Sequence, residues 1–157
     1  MTYVSNEADK HTPAPTPVEL VDQSTFDGCA EKTLCVVAFL PNVLDSGIEG
    51  RNGYIAELTK AAAKLKRSSV GWVWAQGNRQ SALEQALEVG GAGYPALAAV
   101  NVAKGKFAPM LGSFSADGIS SFVDRLVSGR ESVISVSKLP AIAKTQKWDG
   151  KMPRDEL

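Results

Sequence analysis

The sequence predicts an α/β fold in which a mixed central β-sheet carries helices on both faces, in the order β-α-β-α-β-α-β-β-α. Continuous apolar runs of strand length alternate with segments whose apolar residues recur at helical spacing, which indicates parallel neighbouring strands. A short turn at 103–105 joins the last two strands and predicts one antiparallel hairpin. The chain has 157 residues, of which 44% are hydrophobic, so it can form one domain with a substantial core.

The first half of the chain provides two strands and two helices. We expect, in chain order, a strand at 18–21, a helix at 24–31, a strand at 34–40, a loop at 41–50 and a helix ending near residue 67. Ser24 and Asp27 have the spacing of a capping box. The strand LCVVAFL is apolar throughout, which is typical of burial on both faces. The long helix has an apolar face formed by Tyr54, Ile55, Leu58, Ala61, Ala62 and Leu65.

The second half continues the alternation and ends in the hairpin. We expect a strand at 70–75, a helix at 78–89, strands at 96–102 and 106–111, and a helix at 115–129. Asn78 and Gly90 would cap the two ends of the first of these helices. Trp72 and Trp74 lie on the same side of their strand. We expect them to pack in the core rather than to form a surface that binds a ligand. Pro109 predicts that the last strand lies at an edge.

A glycine cluster at 90–93 leads into Tyr94-Pro95, immediately before an apolar strand. Pro95 has no N–H to donate, so it marks the first residue of a strand rather than its middle. From these residues alone the Tyr94–Pro95 bond can be cis, a specified minority state, or an ordinary trans bond that closes a glycine loop. No Gly-Lys-Ser/Thr follows the glycines, which argues against a phosphate site, and we expect no cofactor.

Several segments together resemble one protein disulfide isomerase subfamily: LCVVAFLP, GWVWA, AGYPALAAVN, GSFS and WDG, in that order. Members of this subfamily have two catalytic thioredoxin domains followed by a third, non-catalytic b-type domain. Residues 18–157 resemble that third domain and its tail. The resemblance implies a thioredoxin-like three-layer fold and a cis Tyr94–Pro95 bond that faces the place of the active site.

The chain departs from the catalytic members of that family at the active site. Those members place Cys-x-x-Cys at the start of the long helix, where the helix N-terminus lowers the pKa of the attacking thiol. Here residues 41–46 read PNVLDS and contain no sulfur. Ala38 stands where catalytic members bury a carboxylate that carries protons. We therefore expect no catalytic residues in this domain.

Cys29 and Cys35 lie outside that motif. In an oxidising compartment an even number of cysteines predicts a structural disulfide, which would add about 2–2.5 kcal/mol by closing so short a loop. Two buried free thiols, or a redox-active pair, are the alternatives. We expect no metal site, because two cysteines and the remote His11 do not provide a set of zinc ligands.

Composition and the two ends of the chain indicate which partners and which cellular location to expect. Seventeen basic and seventeen acidic residues cancel, with no basic stripe, so nucleic acid is not an expected partner. No apolar run approaches the roughly 20 residues that cross a bilayer. Residues 1–20 lack the pattern of a signal peptide. The chain ends with Arg154, Asp155, Glu156 and Leu157, a variant of the endoplasmic reticulum retention signal, although a chance charged terminus is the alternative.

These observations predict three regions. Residues 1–17 are a proline-rich linker or residues added at the start of the chain, 18–129 a thioredoxin-like b-type domain, and 130–157 an extended tail that carries the retention signal. A retention signal without a signal for entering the lumen suggests a piece of a longer protein. The resemblance implies that this longer protein is a disulfide isomerase.

The favoured function is a non-catalytic domain that binds clients or chaperones and spaces the catalytic domains in the lumen of the endoplasmic reticulum. Its partners would be unfolded or partly folded secretory proteins and luminal chaperones. The candidate contacts surround the place of the absent active site: Leu40, Pro41, Val43, Leu44, Tyr94 and Pro95. The alternative is a redox-active domain that uses Cys29 and Cys35 as a dithiol-disulfide couple, and a scaffold for one folded partner is a third possibility.

Overall fold

The computed structural model describes residues 13–153 and forms six strands and four helices within that range. The strands are β1 (Val18–Glu19), β2 (Leu34–Leu40), β3 (Val70–Gln76), β4 (Ala96–Asn101), β5 (Lys106–Pro109) and β6 (Ile134–Ser135). The helices are α1 (Gln23–Ala30), α2 (Val43–Lys64), α3 (Ser81–Ala86) and α4 (Ala116–Val127). His11 and the predicted retention signal at 154–157 lie outside the described residues.

All six strands form one mixed sheet in the order β1-β3-β2-β4-β5-β6. The central strand β2 runs parallel to β3 and antiparallel to β4, and β4, β5 and β6 follow as antiparallel neighbours. This confirms the predicted mixed sheet. The structure adds β6, whose two residues are too few to produce a periodic signal in the sequence.

Helices cover both faces of the sheet, as predicted. On one face α2 and α4 pack against Val36, Ala38 and Leu40 of β2, and on the other α1 and α3 pack against residues that include Val37 and Phe39. Every residue of β2 is buried, because side chains that alternate along the strand enter one core or the other. The two cores therefore fix the position of the carboxyl end of β2, where the long helix begins.

Three helix starts differ from the predictions. Asp22, not Ser24, caps α1, since its carboxylate accepts a hydrogen bond from the Thr25 N–H at 2.9 Å. The helix α2 begins at Val43, inside the predicted loop, and is interrupted at Gly47, whose φ of 74° is a left-handed conformation. Asn78 also has a positive φ, 73°, so α3 starts only at Ser81.

The segment after α4 packs back onto the domain. Ile142 is buried in the core beside α1 and α3. The side chain of Gln80 exchanges two hydrogen bonds with the backbone of Ala143, at 2.8 and 2.9 Å. Farther along, the Thr145 N–H donates to the Val21 carbonyl at 2.8 Å. Within residues 13–153 no helix has the length and apolarity to cross a membrane.

Candidate functional site

A cleft of about 690 Å³ opens at the carboxyl ends of β2 and β3. The start of α2, the turn after β3 and two tyrosines form its walls: Pro41, Asn42, Asp45, Ser46, Gln76, Gly77, Asn78, Arg79, Tyr54 and Tyr94. Ligands commonly bind at the carboxyl ends of strands in α/β sheets, where loops from several strands meet. This cleft is therefore the first candidate for a functional site.

The start of α2 forms one wall and contains no sulfur. Pro41 follows β2, and Asn42 caps the helix, with its side-chain oxygen accepting a hydrogen bond from the Leu44 N–H at 2.9 Å. Asp45 lies in the first turn, where the helix dipole favours a carboxylate. Leu44 points outward and is 63% exposed. The wall thus presents polar groups and one apolar side chain, and no nucleophilic thiol.

Tyr94 forms the opposite wall through a buried hydrogen-bond network. The Tyr94–Pro95 peptide bond is cis. The Tyr94 hydroxyl donates to Oε1 of Glu84 at 2.6 Å, and the Asn78 N–H donates to Oε2 of the same carboxylate at 2.7 Å. Glu84 is only 4% exposed. Burial and the hydrogen bond to Glu84 raise the pKa of Tyr94 to about 12, so the phenol is neutral at physiological pH.

Gly77 allows the Tyr94 ring to lie against the turn after β3. A Cβ atom at Gly77 would stand 2.5 Å from the nearest ring atom of Tyr94, far inside van der Waals contact. Only glycine therefore fits beneath the ring. The conformation of this wall is therefore fixed by the ring contact of Tyr94 with Gly77 and by its hydrogen bond to Glu84.

The structure corrects two of the six predicted client contacts. Leu40 is fully buried and Val43 is 1% exposed, so neither can touch a bound chain. Leu40 ends β2 on the face covered by α2 and α4, and its burial agrees with the apolar run of the strand rather than with a contact to a client. Leu44 is exposed, and Pro41, Tyr94 and Pro95 are partly exposed, so these four stay available around the cleft.

Sequence reasoning missed Arg51, a buried cation in α2 that is 2% exposed. Its Nη2 donates to the Pro41 carbonyl at 2.9 Å and to Oε1 of Gln76 at 2.7 Å. The guanidinium carbon lies 5.4 Å from the ring centroid of Trp74 and 4.9 Å from that of Trp148, within cation–π range. The helical spacing does place Arg51 on the apolar face with Leu58, which was the available signal.

Trp148 belongs to the returning segment, and its position is set by hydrogen bonds. Its backbone N–H donates to Oε1 of Glu19 at 2.7 Å, and its indole Nε1–H donates to the Lys151 carbonyl at 2.8 Å. Burial lowers the pKa of the Arg51 guanidinium and the Glu19 carboxylate raises it, but an arginine stays charged at any physiological pH. The segment therefore covers a permanent buried charge.

Cys29 and Cys35 are bonded to each other, with their Cα atoms 5.2 Å apart. Both are buried, at 6% and 0% exposure. The bond packs against Gly71, where a Cβ would stand 2.8 Å from the Cys29 sulfur. Cys35 is near the start of β2 and the cleft is past its end, a separation of about 20 Å along the strand. The structure thus places this pair away from the cleft. Among the described residues no His, Cys, Asp and Glu side chains group as metal ligands.

Comparison with known families gives one match over most of the chain. Residues 7–131 match the model of a family described as "PDIA6-like, C-terminal thioredoxin-like domain". The match includes the cleft walls, Arg51 and both cysteines. It ends within the loop after α4, before the segment that carries Trp148.

Two similar relatives are longer proteins, each matched over part of its length. The Caenorhabditis elegans protein disulfide-isomerase A6 homolog is 44% identical over 154 residues, which cover 96% of this chain and 35% of that protein. Protein disulfide-isomerase A6 of Homo sapiens is 44% identical over 144 residues, covering 90% of this chain and 33% of that protein. The chain spans about a third of the length of these relatives.

A solved structure supports the fold. The thioredoxin-like domain of Arabidopsis NCP superposes with a TM-score of 0.58 at 15% identity, over 87% of this chain and 100% of that domain. At this identity the likeness concerns the fold alone. It confirms the thioredoxin-like fold that the element order and the Tyr94-Pro95 strand start predicted.

Proposed function

The chain belongs to the family of PDIA6-like, C-terminal thioredoxin-like domains, and we propose that it is a binding and spacing domain without its own dithiol chemistry. In this proposal it holds an unfolded or partly folded client in the cleft between α2 and Tyr94. Catalytic domains elsewhere in a longer protein disulfide isomerase would carry out thiol-disulfide exchange on that client. The main support is the cleft itself, whose helix start has no cysteine.

The cleft has the chemistry that an extended chain requires. Amide side chains at Asn42, Gln76 and Asn78 line it and can form hydrogen bonds with a peptide backbone of any sequence. Leu44, exposed at the helix start, offers apolar contact to a client side chain. A polar groove beside one exposed apolar residue favours recognition of backbone over recognition of one particular sequence.

The burial of Cys29 and Cys35 argues against the alternative of a redox-active pair. Exchange requires a thiolate to reach a disulfide sulfur, and here the Cys35 residue is fully buried beneath α1. The pair is also about 20 Å along β2 from the cleft in which a client would bind. A structural bond is therefore the role we propose for it.

We also propose that the natural location is the lumen of the endoplasmic reticulum, with luminal chaperones among the partners. Arg154, Asp155, Glu156 and Leu157 form a variant of the retention signal. A disulfide between Cys29 and Cys35 is consistent with an oxidising compartment. A protein carrying this C-terminus with Leu157 removed should be secreted more than the intact form, and equal secretion of the two would contradict the location.

Client binding can be tested with an exposed leucine beside the cleft and an equally exposed valine away from it. Leu44→Asp should weaken binding of a permanently unfolded, carboxymethylated protein by about five- to thirtyfold, because a leucine contact contributes roughly 1–2 kcal/mol. Val127→Asp is the matched control, since Val127 is 62% exposed, against 63% for Leu44, and lies at the far end of α4. Unchanged affinity of the Leu44 variant, or equal losses in both, would reject the cleft as the binding site.

Catalysis is tested separately by the reduction of insulin. The chain should show no reductase activity above background, and Cys29→Ser should leave the rate unchanged. A measured reduction potential below about −300 mV would agree with a structural bond, whereas one near −180 mV would fit an isomerase. Insulin reduction that disappears in Cys29→Ser would establish the redox function instead.

A further inference from the structure

A second cavity, of about 280 Å³, lies between the domain and the returning segment. Glu19, Val43, Arg51, Gln76 and Arg79 line it from the domain, and residues between 146 and 153 close it on the other side. Gln76 and Arg79 also line the cleft, so the two spaces adjoin. The cavity is separate from the proposed client contacts at Leu44 and Tyr94.

Positive charge dominates the lining of this cavity. Four cationic side chains, Arg51, Arg79, Lys147 and Lys151, face two carboxylates, Glu19 and Asp149. None of the four cations forms an ion pair with another residue in the described range. The two carboxylates are already engaged by backbone N–H groups: Glu19 accepts from Trp148 at 2.7 Å, and Asp149 accepts from Lys151 at 2.9 Å. The cations are therefore left in excess.

The Arg51 side chain also has an unused donor. Its Nε is buried and has no hydrogen-bond partner among residues 13–153, although Nη2 of the same guanidinium has two acceptors. A buried donor without a partner is rare in native proteins, because leaving it unsatisfied costs roughly 1–3 kcal/mol. The unused donor indicates a missing acceptor, and the cationic lining independently favours one with negative charge.

We propose that the cavity between Arg51 and the returning segment binds a carboxylate from an acidic side chain or the free C-terminus of a peptide. A planar carboxylate matches the planar guanidinium better than it matches a lysine ammonium. Glu19 and Asp149 in the lining disfavour a dianion, so inorganic phosphate should bind more weakly. The proposal does not depend on client binding in the cleft, because Arg51, Lys147 and Lys151 do not line the cleft.

The full 157-residue chain can be titrated by nuclear magnetic resonance with small probes. The reporters are the Nε–H of Arg51 and the indole N–H of Trp148, two residues that line the cavity. N-acetyl-aspartate amide should give saturable shifts of both reporters, and N-acetyl-asparagine amide, of equal size and neutral, should give none. Equal shifts with the neutral compound, or no saturation with the acidic one, would overturn the proposal.

Further probes distinguish the source of the carboxylate. Acetyl-glycyl-glycine with a free C-terminus tests the terminal carboxylate, and its amide is the matched neutral compound. Saturable shifts with an acid, and none with its amide, support carboxylate binding. The acid that gives them identifies the source of the carboxylate. Tighter binding of inorganic phosphate than of both acids would overturn the assignment to a carboxylate.

Charge variants connect the titration to the cavity. Arg79→Gln and Lys151→Gln should each weaken binding of the acidic probe about two- to fivefold, as expected for one partly solvated charge. Lys104→Gln, an exposed lysine outside this cavity, is the control and should leave the affinity unchanged. Arg79 and Lys151 are exposed, so folding should tolerate both changes. If all three variants retain the wild-type affinity, the cavity is not the site.

Discussion

Replacing Tyr94 by phenylalanine removes a single hydroxyl from the wall of the cleft. The ring that packs over Gly77 is retained, so no cavity forms. The lost hydroxyl donates to Oε1 of Glu84 at 2.6 Å, and it lies 3.3 Å from Oδ1 of Asn78. Because Glu84 is 4% exposed, water cannot readily replace the missing donor. A hydrogen bond to a carboxylate contributes about 1.5–3 kcal/mol, and we expect the free energy of unfolding to fall by that amount.

Urea unfolding followed by circular dichroism measures this loss. The dependence of the unfolding free energy on urea is typically about 1–3 kcal/mol per molar for small proteins, so the midpoint should fall by roughly 1 M. Tyr54→Phe is the matched control. The Tyr54 hydroxyl has no hydrogen bond to another described residue, and its edge contact with Phe114, at 5.6 Å between ring centroids, involves only the ring. That control should stay within about 0.5 kcal/mol of wild type.

A double-mutant cycle with Glu84→Gln tests whether the loss comes from this one hydrogen bond. If it does, the coupling energy between positions 84 and 94 should exceed about 1 kcal/mol. A coupling energy near zero, or equal losses in Tyr94→Phe and Tyr54→Phe, would refute the reasoning. The Tyr94 wall would then be held by its backbone rather than by Glu84.

Three further predictions follow from the same structure. The pKa of Tyr94 is raised to about 12, against about 10 in an unfolded chain, so its contribution to stability is complete below about pH 10 and is lost as the pH rises toward 12. Ultraviolet titration of wild type against Tyr94→Phe measures this pKa. Replacing Cys29 and Cys35 together by alanine should lower the unfolding free energy by about 2–2.5 kcal/mol, and a loss below 0.5 kcal/mol in urea unfolding would contradict the structural role. Gly77→Ala should destabilise by about 1–3 kcal/mol because its Cβ meets the Tyr94 ring, whereas Gly53→Ala, with open space in α2, should be neutral or stabilising in thermal unfolding.

The sequence was most informative where one physical rule decides the local structure. Seven consecutive apolar residues can only be buried on both faces, and β2 has the predicted bounds Leu34–Leu40. Ser115 caps α4, as its position before a helical apolar pattern predicts, and its hydroxyl accepts from Gly118 N–H at 3.0 Å. The start of α2 was harder to predict from the sequence, because two glycines at positions 47 and 50 produce the signal of a loop.

The walls of the cleft could be located from the sequence, but the buried charges could not. Tyr94-Pro95 and the missing cysteines at 41–46 are local features. Arg51 is covered by Trp148, far along the chain, as well as by Trp74, whereas a charged residue is normally expected at the surface. The buried Glu84 carboxylate accepts hydrogen bonds from the N–H of Asn78, which has a positive φ, and from the Tyr94 hydroxyl. Helical spacing places Arg51 on the apolar face of α2, but the contacts that bury both charges are tertiary.

The buried Arg51 guanidinium has the opposite sign from the carboxylate that, by the resemblance, catalytic domains bury near the helix start. Here the place of that carboxylate is taken by Ala38. Ala38 pairs in register with Trp74, and the Arg51 guanidinium lies over the Trp74 ring. A buried guanidinium stabilises a nearby anion but cannot accept a proton from a thiol. Arg51 is therefore suited to holding an anion in the adjoining cavity and not to the proton transfer that dithiol exchange requires, which supports the proposed binding of a carboxylate there.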